Sequence, residues 1–486
     1  MISKSAFLAG LQCERLLWTR FNAPDQIPPA EASLQTMFDQ GREIGALARR
    51  LFEGGMEVAA GITDPEEVER GSQMALQARR PLFEPGFVFE GAFARADILV
   101  PAKVGSWDLY EVKGVTEPEE IHFQDVAFQA HVYAGAGVRL RHCFLLHLNR
   151  DYVRCGELEP EHLFVRRDWT REVAQLCRTI EDRLSAMRRM IGQPGRPKVT
   201  IGKHCDAPHT CPLRERCWAF LPEHNVMELY RGKAKGFALL DRGVTRLVEI
   251  PEDCSLTENQ RVQVETVMSA SPRVSKLGIR RFLQDIKYPI HLLDFETFST
   301  AIPKFDGLRP FQRVPFQFSL HIQTSPGADL VHRGFLAHGA GDPRAEFMAR
   351  LREVVAREGS LVAYNAAFEK GVLQECADAL PAFQPWVESL EPRFVDLLQP
   401  FRAFRYYHPA QHGSASMKAV LPALTGRGYE DLAIRDGDTA SREYLRVTFG
   451  NSESTKRDRV YRQLEEYCGL DTKGMWEIIS ALQNLV

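Results

Sequence analysis

The sequence predicts an α/β protein built from two domains and a connector, with boundaries at 1–221, 222–286 and 287–486. Three observations lead there. At 486 residues the chain is too long for one compact core. Alternating apolar runs interleave with stretches of helical spacing along its length. From Tyr288 the pattern changes sharply, from a helical segment to closely spaced strands.

Composition narrows the class. Hydrophobic residues make up 44% and charged residues 26%, so each domain can bury a core of its own. A formal net charge of −3 argues against a uniformly basic nucleic-acid coat, although acidic sites can offset local basic patches. Gln12, Cys13, Glu14 and Arg15 interrupt the first apolar stretch before a signal-peptide core can form. No apolar run approaches the roughly 18–20 residues that cross a bilayer. A cytoplasmic protein with no membrane partner is expected.

The elements follow from periodicity. Residues 30–52 carry Leu34, Met37, Phe38, Ile44, Leu47 and Leu51 at helical spacing. Residues 87–100 and 107–112 alternate as two strands of a hairpin turned at 101–105. A helix is expected over 121–136 and a strand over 143–149. A long helix over 169–191 ends at the Gly/Pro-rich stretch 192–197. Within the connector, 237–248 reads as a structural linker, with a small phosphate-gripping helix–turn–helix as the alternative. Strands are expected at 291–295 and 314–322, followed by alternating helices and strands.

The hairpin carries Asp97 and, across its turn, Glu111 and Lys113. Glu111 and Lys113 are two apart, so a strand points both to one face. Two carboxylates hold a hard divalent cation, and a lysine can position or neutralise charge during attack on a phosphate. Beyond them Gln129 and Tyr133 share one face of the next helix. This combination resembles the RecB-like branch of the PD-(D/E)xK nucleases, whose fold is restriction-endonuclease-like. The resemblance implies that Asp97 and Glu111 are metal ligands and Lys113 the catalytic lysine. Gln129 and Tyr133 would support the site or contact DNA. Many relatives carry a histidine ligand on an early helix, and here Gly45 stands at that place, with Glu43 as a substitute to consider.

Six of the ten cysteines (143, 155, 177, 254, 376 and 468) are scattered and read as buried small hydrophobes. Cys13, Cys205, Cys211 and Cys217 form a separate set, one distant and three clustered, which in a reducing compartment points to metal rather than disulfide. That arrangement is similar to the iron–sulfur RecB-family nucleases, including the CRISPR-adaptation nucleases, and implies a structural 4Fe-4S cluster tying both ends of the domain together. Five residues separate each clustered pair where relatives commonly have two between the first pair. Zinc, with His204 or His209 as substitute ligands, therefore stays open.

The C-terminal part carries the strongest signal. Asp294 and Glu296 share one face of an otherwise apolar strand, where buried carboxylates are costly unless they hold a cation or are otherwise paired. Glu369 follows a second strand, and Tyr467 and Asp471 lie one helical turn apart. This series resembles the DEDD exonucleases of the ribonuclease H-like fold, tyrosine (DEDDy) subclass. The resemblance implies that Asp294, Glu296, Glu369 and Asp471 hold two divalent ions, Mg²⁺ or Mn²⁺, about 4 Å apart. Tyr467 would orient the attacking water. The third acid of that family is normally aspartate, and here it is Glu369. The segments 314–321, 394–398 and 413–422 also look like an uncharacterised exonuclease-like domain found behind RecB-like nucleases in bacteria.

The expected function is a metal-dependent DNA nuclease acting on single-stranded ends, with 3′→5′ exonuclease action in its C-terminal domain. The expected path for the polymer is the arginine-rich stretch 166–189, although Glu172, Glu181 and Asp182 interleave there, as on a solvated charged face. Two alternatives are an RNA-processing exonuclease and a nucleic-acid-binding scaffold whose N-terminal module is inactive. Protein partners and oligomeric state are not legible in the sequence.

Overall fold

Two mixed β-sheets organise the chain, each beside helices whose apolar positions recur at three- and four-residue intervals. The computed structural model describes residues 1–29, 32–103 and 105–486, and the side chains of 32–38 are outside the description. The expected apolar positions Leu34, Met37 and Phe38 therefore lie outside the described side chains. The chain divides into two compact units, Met1–Ala219 with Thr300–Gln312, and Phe220–Ser299 with Arg313–Val486. No helix among the described residues is long and apolar enough to cross a membrane.

The first unit holds a six-stranded sheet in the order Met56–Glu57, Leu82–Phe83, Ile98–Pro101, Trp107–Lys113, Leu140–Leu148, Phe164–Asp168. Trp107–Lys113 is antiparallel to Ile98–Pro101 and parallel to Leu140–Leu148. The helix Glu120–Gly135 makes that parallel crossover. Strand alternation sorts the side chains. Leu109 joins the core with Val126 and Phe128 of this helix, while Tyr110 and Val112 pack with Ile44 and Ala48 of the helix Ala32–Arg49. A smaller sheet pairs Ile2–Ser3, Ala92–Arg95 and Gly86–Phe89.

The single strand expected over 87–100 is three strands. Glu90 (φ 45°) and Gly91 (φ 74°) turn Gly86–Phe89 back onto Ala92–Arg95, and the chain breaks again before Ile98–Pro101. Apolar residues resume directly on either side of Glu90–Gly91, which is why the run reads as one element. The helix Thr170–Ile191 buries Val173, Ile180, Leu184 and Met187, one stripe of its surface.

The second unit has a five-stranded sheet in the order Val331–Leu336, Val314–Gln323, Ile290–Phe298, Ser360–Ala363, Phe394–Asp396. The first three strands are antiparallel, and the last three run parallel. Along Ile290–Phe298, Leu293 and Phe295 enter a core with Phe318, Phe347 and Val372. The intervening Asp294 and Glu296 point to the other face. The 31-residue helix Ser454–Asn484 packs on this strand and its neighbour, and Gln317 donates to the Leu464 carbonyl at 2.9 Å.

Two expected boundaries differ. The stretch 222–286 packs within the second unit rather than standing apart as a connector. Gln260 and Gln263 bond the carbonyls of Tyr230 and Glu228, and Arg273–Val274 pairs with Tyr406–Tyr407. Residues 300–312 belong to the first unit, because Arg154 donates to the carbonyls of Pro303 and Lys304 and the Gly156 N–H to Asp306. At 237–248 the helix Lys233–Asp241 is followed only by the short 3₁₀ turn Leu247–Glu249, so no second helix completes a helix–turn–helix.

Candidate functional site

In the first unit, Glu111 and Lys113 lie on the central strand Trp107–Lys113 and face the helix Glu120–Gly135. Lys113 Nζ donates to Glu111 Oε1 at 2.7 Å and to Asp125 Oδ2 at 2.6 Å. Gln129 Nε2 donates to Glu111 Oε2 and Asp125 Oδ1, both at 2.8 Å. Asp97 accepts the Val112 N–H at 2.6 Å. Lys4, in the first turn of the helix Lys4–Gln12, reaches the same Glu111 Oε1 at 2.8 Å.

Charge balance governs this cluster. Burial works against ionised Glu111, but Lys113 and Lys4 outweigh it and hold its carboxyl well below the usual range. Asp97 goes the other way, raised by burial and by Glu111. Burial also opposes the ammonium of Lys4, but Asp125, Glu111 and Asp97 overcome it and raise its pKa. Three carboxylates thus meet two lysines, and Glu111 is already charge-paired.

Tyr133 and Gln129 are fully buried. The Tyr133 hydroxyl accepts the Ala96 N–H at 3.0 Å and donates to the Pro85 carbonyl, with its ring edge-on to Phe87. Gln129 thus bonds two acids of the cluster, Tyr133 bonds backbone groups alone, and both side chains are enclosed. Glu43 is exposed, and it is not among the groups that perturb Asp97, Glu111 or Lys113. The expected substitution of the missing histidine by Glu43 is not what the fold provides. Lys4, two helices earlier, supplies the extra charged group instead. Lys4 and Asp125 escaped sequence reading because they lie outside the hairpin. The Asp125–Gln129 spacing of one helical turn was the available signal.

The four clustered cysteines converge. Cys13 sits between the helices Lys4–Gln12 and Glu14–Asn22, and with Cys205, Cys211 and Cys217 it lines one small pocket. Burial raises the Cys211 thiol to about 11, and the other three thiols add to the rise. Gln12 Nε2 bridges the carbonyls of His204 and His209 at 2.8 and 2.7 Å, holding the late loop against the early helix. His204 lines the same pocket. Four thiols from two distant segments are a donor set suited to a soft metal centre, since binding favours the thiolate that burial disfavours.

In the second unit the acids expected from sequence come together. Oxygen atoms of Asp294 and Glu296 and the sulfur of Cys468 all lie within 4.8 Å of one another. A β-bulge falls between Glu296 and Thr297, a device that re-aims a side chain out of register. Burial raises the Asp294 pKa well above normal, and Asp471, Glu296 and Glu369 add to it. Burial and Asp471 do the same for Glu296. Burial pushes Glu369 up to about 8, with Asp396 adding, and its Oε2 is buried with no hydrogen-bond partner. Burial raises Asp471 too, opposed by a hydrogen bond from the Tyr429 hydroxyl.

Lys418 is the cation that lowers both Glu296 and Asp471, and its Nζ lies 5.9 Å from the Tyr467 ring centroid. Asp436 is a fifth acid, raising Glu296 while capping the helix Gly437–Phe449. Asp396 accepts the Asn365 and Leu398 N–H groups at 3.0 Å and shapes the turn that launches Glu369. Lys418, Tyr429, Asp436 and Cys468 were missed in sequence. Cys468 adjoins Tyr467, but nothing local distinguishes it from a buried hydrophobe.

The expected arginine path is partly tied down. Arg183 donates to Gln124 at 2.6 Å and Arg188 to Glu181 at 2.9 Å, while Arg171, Arg178 and Arg189 are exposed.

Residues 291–416 match a family described as a domain of unknown function, DUF2779. The chain is 26% identical over 229 residues to an uncharacterized MG366 homolog of Mycoplasma pneumoniae, covering 42% of this chain and 33% of that protein. It is 24% identical over 216 residues to uncharacterized MG366 of Mycoplasma genitalium, covering 40% of this chain and 32% of that protein. The chain thus spans about a third of the length of these curated relatives. A crystal structure of SSO0001 aligns with 39% of this chain and 98% of its own, at 15% identity and a TM-score of 0.18.

Proposed function

We propose that this protein is a metal-dependent nuclease whose phosphodiester hydrolysis resides in the second unit, at Asp294, Glu296, Glu369 and Asp471. One observation carries the reading. Burial raises all four acids, Asp294 and Glu296 are raised further by the other carboxylates, and Lys418 is the cation that opposes this at Glu296 and Asp471. A buried carboxylate without a partner costs on the order of several kcal/mol to ionise, and a divalent cation offsets that cost. Without a cation such acids take up protons, and a divalent ion would stabilise their ionised form instead.

In this reading the five-stranded mixed sheet is a ribonuclease H-like scaffold. Asp294, Glu296, Glu369 and Asp471 hold Mg²⁺ or Mn²⁺. Bound ions supply an activated water and stabilise the leaving 3′-oxygen. Tyr467, one turn before Asp471, orients the water, and Tyr429 keeps Asp471 aimed by its hydrogen bond. Lys418 offsets negative charge brought by the phosphate. The first unit is a RecB-like module, its thiols holding a 4Fe-4S cluster as a structural clasp.

Glu111 bonded by both Lys4 and Lys113 favours a second reading for that module alone: its acids are neutralised by lysines, and it grips nucleic acid without cutting. The test is degradation of matched end-labelled DNA and RNA strands with Mg²⁺ or Mn²⁺ by wild type, Asp294→Ala and Lys113→Ala. Cleavage lost in Asp294→Ala and kept in Lys113→Ala supports both statements. No metal-dependent cleavage of either polymer by wild type overturns the proposal.

A further inference from the structure

His224, Glu228 and His412 form a second constellation within the same unit, outside the acidic site. One nitrogen from each ring and one carboxylate oxygen lie within 4.8 Å of one another. His412 Nδ1 is 3.0 Å from Glu228 Oε2, and His224 Nδ1 is 3.8 Å from the same oxygen. The two imidazoles stack at 5.1 Å with 20° between planes. Asn225 Nδ2 donates to the other oxygen, Glu228 Oε1, at 2.7 Å, fixing the carboxylate's direction. Glu223 Oε1 is a further charged neighbour, 3.9 Å from His224 Nε2.

Hydrogen bonding alone leaves this group incomplete. His412 can bond Glu228, but 3.8 Å is too long for His224, whose Nδ1 is buried with no partner. Both histidines adopt left-handed backbone, φ 55° and 48°, a conformation that costs a non-glycine residue energy. Two strained backbones thus aim two imidazoles at one oriented carboxylate. In tetrahedral coordination with metal–ligand bonds near 2.0–2.2 Å, ligand atoms sit about 3.4 Å apart, and the observed 3.0 and 3.8 Å bracket that edge.

We propose that His224, Glu228 and His412 bind a zinc-class divalent cation, the borderline-soft ion that two imidazoles and a carboxylate suit. The site would clip the segment at 224–228 to the turn at 409–413. Contact there is already tight: a Cβ on Gly413 would lie 1.8 Å from the Glu228 carbonyl oxygen. The chain leaves this turn for the helix Met417–Thr425, which carries Lys418. A metal here fixes the approach of that lysine without entering the acidic site. The inference does not depend on the nuclease reading.

The test is Zn²⁺ stoichiometry of the full chain by dialysis and elemental analysis, for wild type, His412→Asn and Glu228→Gln. Asn tolerates the left-handed backbone at 412, and Gln keeps an acceptor for Asn225, so circular dichroism should match wild type. The expected result is one equivalent of Zn²⁺ fewer per chain in either folded variant. If His412→Asn does not fold, Glu228→Gln decides. Unchanged stoichiometry in the folded variants, or zinc in wild type that is wholly removed by Cys205→Ser with Cys211→Ser, overturns the proposal.

Discussion

Lys4 Nζ lies 2.8 Å from Glu111 Oε1, the same oxygen that accepts from Lys113 at 2.7 Å, although 107 residues separate Lys4 from Glu111. A buried carboxylate held by two ammoniums is stabilised as an anion. Removing one of them should therefore cost stability. Lys4→Met is expected to lower unfolding free energy by about 1–3 kcal/mol at neutral pH, the scale for a charged group losing a buried partner. A urea midpoint indistinguishable from wild type would refute the pairing.

The acids of the second unit set a pH dependence of unusual sign. Glu369 titrates at about 8 in the folded chain, against roughly 4.3 unfolded. Between those values the folded state binds the extra proton. Without divalent metal, this group's contribution is full below about pH 4 and is lost as pH rises toward 8. Asp294, Glu296 and Asp471, also raised, act in the same direction. The melting temperature of metal-free protein should therefore fall between pH 5 and pH 8. Glu369→Gln should flatten the fall, and Mn²⁺ should remove most of it. Melting temperatures that rise with pH across this window would contradict the assignment.

The Tyr429 hydroxyl donates to Asp471 of the acidic site. Groups that orient a metal-binding carboxylate are typically worth about 10–100-fold in metal affinity or activity. Tyr429→Phe should raise the Mn²⁺ concentration for half-maximal activity by about 10-fold and leave polymer affinity unchanged. Equal Mn²⁺ dependence in variant and wild type would show that Asp471 needs no such support.

Tyr133 satisfies the buried Ala96 N–H. Tyr133→Phe strands that donor and should cost about 1–3 kcal/mol. Its DNA affinity at fixed salt should not change, because the hydroxyl is enclosed. Weakened binding with unaltered stability would instead place Tyr133 at the polymer surface.

The thiols of Cys13, Cys205, Cys211 and Cys217 join segments some 190 residues apart. Cys13→Ser should abolish iron and sulfide content together with broad visible absorption. The melting temperature of the full chain should also fall. Wild-type protein containing zinc and no iron would replace the cluster by a tetrahedral ion.

Much of this was legible in sequence, for a local reason. The spacing of Asp294 and Glu296 follows from strand alternation, and that of Tyr467 and Asp471 from one helical turn, so their shared faces needed no fold. The helices Glu120–Gly135 and Thr170–Ile191 likewise follow from apolar periodicity within one or two residues. The Glu90–Gly91 turn was passed over because apolar residues close in on both sides of it, although its glycine, at φ 74°, is the residue a tight turn asks for.

Sequence by itself determined which faces are apolar, where carboxylates interrupt them and which cysteines stand apart, since each is a property of neighbours along the chain. Only tertiary structure decided that Lys4 meets Glu111, that Tyr429 and Lys418 attend Asp471, and that His224 stacks on His412. Those meetings join residues tens to hundreds of positions apart. Chain closure, driven by burial of the apolar faces, brings them together, and no local pattern records where that closure ends.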